Sequence, residues 1–115
     1  MNSGFLKEWC LKHEVEIRSI KSFWKCFRNF QSDDIEGFKS LFGDDFRPED
    51  LNISLKEVAL FIDRWDESSN YEAISYGFDY VVSYIPIVFK GKKLGWYKLL
   101  FNLDGETFDD FLTFD

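Results

Sequence analysis

His13 is the one imidazole in the chain, the side chain best suited to move a proton near neutral pH. It stands between Lys12 and Glu14 at an expected helix boundary, where a capping or solvated role fits better than catalysis. Asp109 and Asp110 are the acids whose adjacency invites a reading as an acid/base or cation-holding pair, but neighbouring residues of a strand point to opposite faces and cannot converge. Asp110 is the one expected on the inner face beside Leu99 and Phe101; a lone carboxylate in an apolar cavity would titrate unusually, but a sheet-edge position in water is the favoured expectation. Asp44, Asp45, Glu49 and Asp50 have neither the spacing nor the loop glycine of a helical-hand calcium site. Cys10 and Cys26 lack a CxxC spacing or a histidine cluster and read as small buried thiols. There is no phosphate-cradling glycine loop, nucleophile elbow, zinc pattern or aromatic-interleaved basic patch. The expectation is a chain with no catalytic, cofactor-binding or metal-ligating residues, a binder and not an enzyme.

Charge says what such a binder would meet. The net charge is −7, distributed as +3 over residues 1–32, −8 over 33–72 and −2 over 73–115. Concentrated acid steers cationic partners inward and repels nucleic acid and anionic membrane, so neither of those is an expected partner. The N-terminal residues hold no apolar run of signal-peptide or membrane-spanning length, which points to the cytoplasm.

These groups need elements to hold them. At 115 residues with 45% hydrophobic and 20% aromatic content, the chain has material for one packed core and aromatics to spare for a cavity, an exposed patch or a second copy. Residues 4–30 read as helical, in one piece or broken near His13-Glu14. Val15, Ile17, Ile20, Trp24, Phe27 and Phe30 recur three to four apart, with Lys21, Lys25 and Arg28 between them. A second helix is expected from Asp33, as cap, through Ile35, Phe38, Leu41 and Phe42 to a stop at Gly43. After a loop over 44–50, Ser54-Leu55-Lys56-Glu57 is a capping box that predicts a third helix ending near residue 67. From 71 onward the period becomes that of strands: 76–89, a turn at Lys90-Gly91-Lys92-Lys93, 94–103, a turn at Asp104-Gly105, and 106–114. Helices over 1–67 followed by an antiparallel meander over 71–115 make a single α+β domain.

A two-residue turn at Asp104-Gly105 sets Phe101 opposite Phe108, Leu99 opposite Asp110 and Tyr97 opposite Leu112. Centring the preceding turn on Gly91-Lys92 adds Tyr84, Pro86 and Val88 to the face of Tyr97 and Phe101. Tyr84, Tyr97, Phe101 and Asp110 are then a candidate cavity lining. The opposite face would carry Ile85, Ile87, Phe89, Leu94, Trp96, Leu100 and Phe111. Two apolar faces require two coverings, and the second would be a cavity, a partner or a homodimer.

The Phe23-Trp24-Lys25-Cys26-Phe27 run, the Asp34-Ile35-Glu36-Gly37-Phe38-x-x-Leu41-Phe42 helix and the following meander resemble the cone-shaped NTF2-like fold, in which helices fill the mouth of a bent sheet. That likeness implies a ligand-binding or weakly catalytic cavity, although the ionisable pair of some enzymes of that fold is missing here. As a short, acidic, aromatic-rich chain it also resembles the immunity proteins of bacterial contact-dependent inhibition and other polymorphic toxin systems. The second resemblance implies a cognate toxin domain with a basic surface as partner, and the acidic loop and helix edge of this chain, Asp44, Asp45, Glu49, Asp50, Asp63, Asp66 and Glu67, are the expected surface to meet it.

Overall fold

The structure is a computed structural model that describes residues 2–63, 65 and 76–115. Three helices, α1 (Gly4–Lys12), α2 (Val15–Asp33) and α3 (Ile35–Phe42), precede five strands: β1 (Leu51–Asn52), β2 (Glu57–Phe61), β3 (Tyr80–Phe89), β4 (Lys92–Asn102) and β5 (Thr107–Phe114). This is the expected α+β arrangement of N-terminal helices packed on an antiparallel sheet. Among the described residues no helix is long and apolar enough to cross a membrane.

The helical stretch does break at His13-Glu14. His13 ends α1 with its N–H donated to the Trp9 carbonyl at 3.0 Å, and Glu14 takes a left-handed φ of 53°, which turns the chain into α2. Val15, Ser19, Phe23 and Phe27 of α2 recur every four residues and are all but fully buried. They lie against Val81, Ile85, Tyr97 and Phe101 of the sheet in one core. Ser19 and Ser83 are the polar pair inside it, and their hydroxyls satisfy each other at 2.7 Å. The cap of α3 is Asp34 and not Asp33, since Asp34 Oδ1 accepts the Gly37 N–H at 3.0 Å while Asp33 closes α2.

The helix expected from the Ser54 capping box does not form. Glu57–Phe61 is instead strand β2, paired antiparallel with β3 from Glu57↔Tyr84 to Phe61↔Tyr80. Val58-Ala59-Leu60-Phe61-Ile62 is a short apolar run that periodicity alone cannot assign. The outcome follows from β3, whose second edge would otherwise go unpaired along that length. Strands β1 and β2 share that edge in tandem, β1 against Val88 and Phe89, β2 against residues 80–84. Between them the ladder is interrupted over residues 53–55 beside Pro86, which has no N–H to give, and Lys56 N–H resumes contact with the Tyr84 carbonyl at 2.9 Å.

Both hairpins differ from the expected turns by one residue, with different consequences. The β3–β4 turn is Lys90-Gly91, with φ of 50° and 81°, the both-positive pattern that suits a two-residue hairpin. That shift by itself changes each cross-strand partner by two and leaves the faces as expected. A bulge between Ile87 and Val88, where Leu94 is the extra residue of β4, then shifts the register by one, pairs Ile85 with Tyr97 and Ser83 with Leu99, and flips the side chains beyond it across the sheet. Ile85 and Ile87 therefore lie buried on the helix side with Phe89 and Leu94 packed there too, while Tyr84, Pro86 and Val88 fall on the opposite face. The β4–β5 loop has three residues, 103–105, closed by Gly105 N–H to the Asn102 carbonyl at 3.0 Å and Asn102 N–H to the Glu106 carbonyl at 2.8 Å. Phe101 accordingly faces Thr107, but a bulge between Leu100 and Phe101 restores the expected Leu99↔Asp110 and Tyr97↔Leu112 pairs.

The β4–β5 turn is tied to the helical corner. Arg18 Nη1 donates to the His13 carbonyl at 3.0 Å and to the Gly105 carbonyl at 2.8 Å, and its guanidinium lies 5.0 Å from the Phe101 ring centre. Gly105 has a φ of 87°, and a Cβ there would enter the His13 ring. Gly105→Ala should therefore cost about 1–3 kcal/mol, from left-handed backbone strain plus displacement of His13. Denaturant unfolding would measure it, and a loss below about 0.5 kcal/mol would show that the corner and turn are not coupled.

Candidate functional site

The acidic segment following α3 is held by its own aromatic residue. Phe46 sits between ring neighbours on four sides, with centroids 5.6 Å from Phe27, 5.1 Å from Phe38, 5.5 Å from Phe42 and 6.0 Å from Phe89. Pro48–Asp50 forms a single 3-10 turn, and the Asp50 carbonyl accepts the Lys90 N–H at 3.1 Å, which stitches the loop to the end of β3. With Phe46 half-buried at the middle of the loop and its end tied, Asp44, Asp45 and Glu49 project into water. Asp50 is half-buried and 3.5 Å from Arg47, so it is more a structural anchor than an open charge. Lys39 to Asp44 and Arg47 to Glu49 are 3.8 Å pairs between exposed side chains, worth at most about 1 kcal/mol each and easily exchanged for a partner's cation.

The remaining acids expected on this surface are elsewhere. Asp63 follows β2 at the opposite end of β3, where its Oδ2 accepts the Gly77 N–H at 2.7 Å and its own N–H goes to Asp79 Oδ1 at 3.0 Å. A ten-residue strand separates that end from Asp50, a distance of roughly 30 Å at about 3.3 Å per residue. Asp66 and Glu67 lie outside the described residues. The seven acids therefore do not form one patch. The strand in place of the expected third helix is the reason, because its rise carries Asp63 away from the loop instead of coiling back toward it.

No protein-family model, curated protein or solved structure matches this chain.

The expected cavity is likewise divided. Tyr97 and Phe101 are fully buried under α2, whereas Tyr84 is on the far face of the sheet, with Trp96 edge-on at 6.2 Å and Lys98 Nζ 5.6 Å from its ring centre. The register flip described above is the cause. Asp110 does meet Tyr97, whose Oη donates to Asp110 Oδ2 at 2.8 Å. The carboxylate opens into a groove of about 490 Å³ between α2 and β5, lined by Ser22, Lys25, Cys26 and Asn29 on one side and Thr107 and Asp109 on the other. Among the described residues no cluster of His, Cys, Asp or Glu is arranged to hold a metal ion. The thiols of Cys10 and Cys26 are half-buried and unbonded to each other, and burial pushes both above the ordinary thiol range. A thiol held protonated is a poor nucleophile or ligand. His13 is occupied in the corner with its ring 4.5 Å from Trp9.

Burial pushes the Tyr97 phenol well above the ordinary tyrosine range; a hydrogen bond with Ser22 opposes this, while the bond to Asp110 and its charge add to it. The folded state thus favours the neutral phenol, and the unfolded chain releases its proton near pH 10. The associated stability is complete below about pH 10 and is lost as pH rises beyond it. Tyr97→Phe should be only modestly destabilised at pH 7, by about 1 kcal/mol, and should lose less stability than the native chain between about pH 10 and 12. Urea midpoints across that range decide it; parallel slopes in the two proteins would remove Tyr97 as the titrating group.

Proposed function

We propose that the protein is a non-enzymatic, cytoplasmic inhibitor of the immunity type, which neutralises a bacterial toxin domain by placing the 44–49 loop on that domain's basic surface. The observation that supports this reading most is the anchoring of the loop. Phe46 and Asp50 fix its backbone in the free protein, so Asp44, Asp45 and Glu49 are presented without an ordering cost at the moment of binding. Asp44 is 82% exposed, and complementary charge of this kind acts mainly on the rate of association. Asp63 takes no part in this surface.

The partner to test is a toxin domain with a basic surface, sought first in the C-terminal domain of any large secreted protein that the neighbouring gene encodes. Asp44→Lys/Asp45→Lys/Glu49→Lys should slow association with it at least tenfold at low salt, leave the unfolding midpoint unchanged and abolish protection of cells producing the toxin. Raising salt should slow native association through the same step. Equal rates for the native and triple-variant proteins would eliminate the loop, and absence of any complex would overturn the immunity reading.

The far face of the sheet supports a second reading, that of a homodimer. Phe61 stacks on Tyr80 at 5.2 Å, and Phe111 of the same face is 43% exposed. Equilibrium sedimentation should then give twice the chain mass for the native protein and the chain mass for Phe111→Lys. A native monomer at all concentrations would dismiss this reading.

A further inference from the structure

Residues 17–32 of α2 contain four cations and no carboxylate, an imbalance in a chain of net charge −7. Arg18 is committed to the corner beneath Gly105. Lys21, Lys25 and Arg28 are exposed, follow one another at four and three residues and so share one helix face, and none is in an ion pair with a described carboxylate. They rim a groove of about 590 Å³ whose other wall is Phe46 and Pro48, with Ile20, Trp24 and Phe27 at its base. No acid lines it. The carboxylates of the neighbouring loop are therefore not the partners of these cations. Among the described residues no carboxylate offsets the like-charge repulsion along this helix face.

We propose that this groove is a second recognition surface, opposite in sign to the acidic loop, which takes an extended acidic peptide segment with apolar residues at alternate positions. The spacing fits. Lys21 and Lys25 are separated by about 6 Å along the helix axis, and Lys25 and Arg28 by about 4.5 Å. Acidic side chains at alternate positions of an extended peptide recur every 6–7 Å or so on one side, which matches the Lys21–Lys25 step. The intervening apolar side chains face the other way, toward Trp24, Phe46 and Pro48. Charge argues for a peptide over a nucleic acid. Three cations neutralise only a few phosphates, while Asp33, Asp34, Asp44 and Asp45, exposed at the ends of α2 and α3, would repel a continuous polyanion. A peptide with two or three acids and an apolar side meets the cations without extending into that field.

The probe is a peptide of about nine residues alternating Glu and Leu, titrated into the isotopically labelled protein at low salt. A Lys–Leu peptide and an oligothymidylate of equal length serve as comparisons. Saturable shifts of α2 amides and of the Trp24 indole are expected with the Glu–Leu peptide alone. Lys21→Glu/Lys25→Glu/Arg28→Glu should weaken that binding at least tenfold. If the reversed variant fails to fold, the Lys21→Ala/Lys25→Ala/Arg28→Ala variant provides the same comparison without added repulsion. The loop variant Asp44→Lys/Asp45→Lys/Glu49→Lys should bind the peptide as well as the native chain or better, which separates this surface from the acidic-loop reading. No saturable binding, undiminished binding by the folded triple variant, or tighter binding of the oligothymidylate would each overturn the proposal.

Discussion

The burial of one stripe of α2 on β3 and β4 is the contact on which the other features depend. Val15, Ser19, Phe23 and Phe27 make a narrow apolar row with one hydroxyl in it, and the sheet answers with Val81, Ser83, Ile85, Tyr97 and Phe101. The Ser19–Ser83 bond makes the fit specific in register. A slip of either element would take the buried Ser19 hydroxyl away from its partner, at about 1–3 kcal/mol, and leave Ser83 only its longer bond to the Leu99 carbonyl at 3.4 Å. Phe27 then carries the contact onward to Phe38, Phe42 and Phe46, so the rings that hold the acidic loop belong to the same core that holds the sheet.

Because the loop is pinned by that core, its charge has a fixed direction. Phe46 divides the surface in two: the carboxylates of Asp44, Asp45 and Glu49 face outward on one side, and the ring itself closes the basic groove against α2 on the other. A molecule with net charge −7 thus presents both signs within one neighbourhood. Two adjoining surfaces of opposite sign discriminate more sharply than either alone, since a partner matched to one and not the other meets repulsion.

The far face of the sheet follows from the same geometry. Helices cover only one face, and the bulge at Leu94, between the Ile87 and Val88 pairings, decides which apolar residues they cover. Ile85 and Ile87 go under α2, and Tyr84, Trp96 and Phe111 remain outside. Lys93 and Lys98 lie over the rings of Trp96 and Tyr84 and screen part of that apolar area from water.

The sequence by itself determined the features set by local chemistry. The recurrence of apolar groups three to four apart gave α2, Gly43 bounds α3 as expected while its cap is Asp34 one residue after the expected Asp33, the Tyr-, Val- and Ile-rich stretches gave β3 to β5, and the Asp44–Asp50 loop read as irregular because its residues favour no element. Lys21, Lys25 and Arg28 were legible as the polar positions between the apolar ones, and the groove beside them came only with the fold. Tertiary structure decided whatever depended on a distant edge or on counting across a turn. Glu57–Phe61 carries a good helix start yet pairs with β3, because satisfying a row of backbone groups outweighs one cap. The faces of Tyr84 and Ile85 exchanged because a bulge adds one residue, Leu94, to β4, and periodicity of two converts that into a complete inversion. Asp63 parted from Asp44 for the same reason that β2 formed. A strand advances more than twice as far per residue as a helix, and no local signal records where it will end.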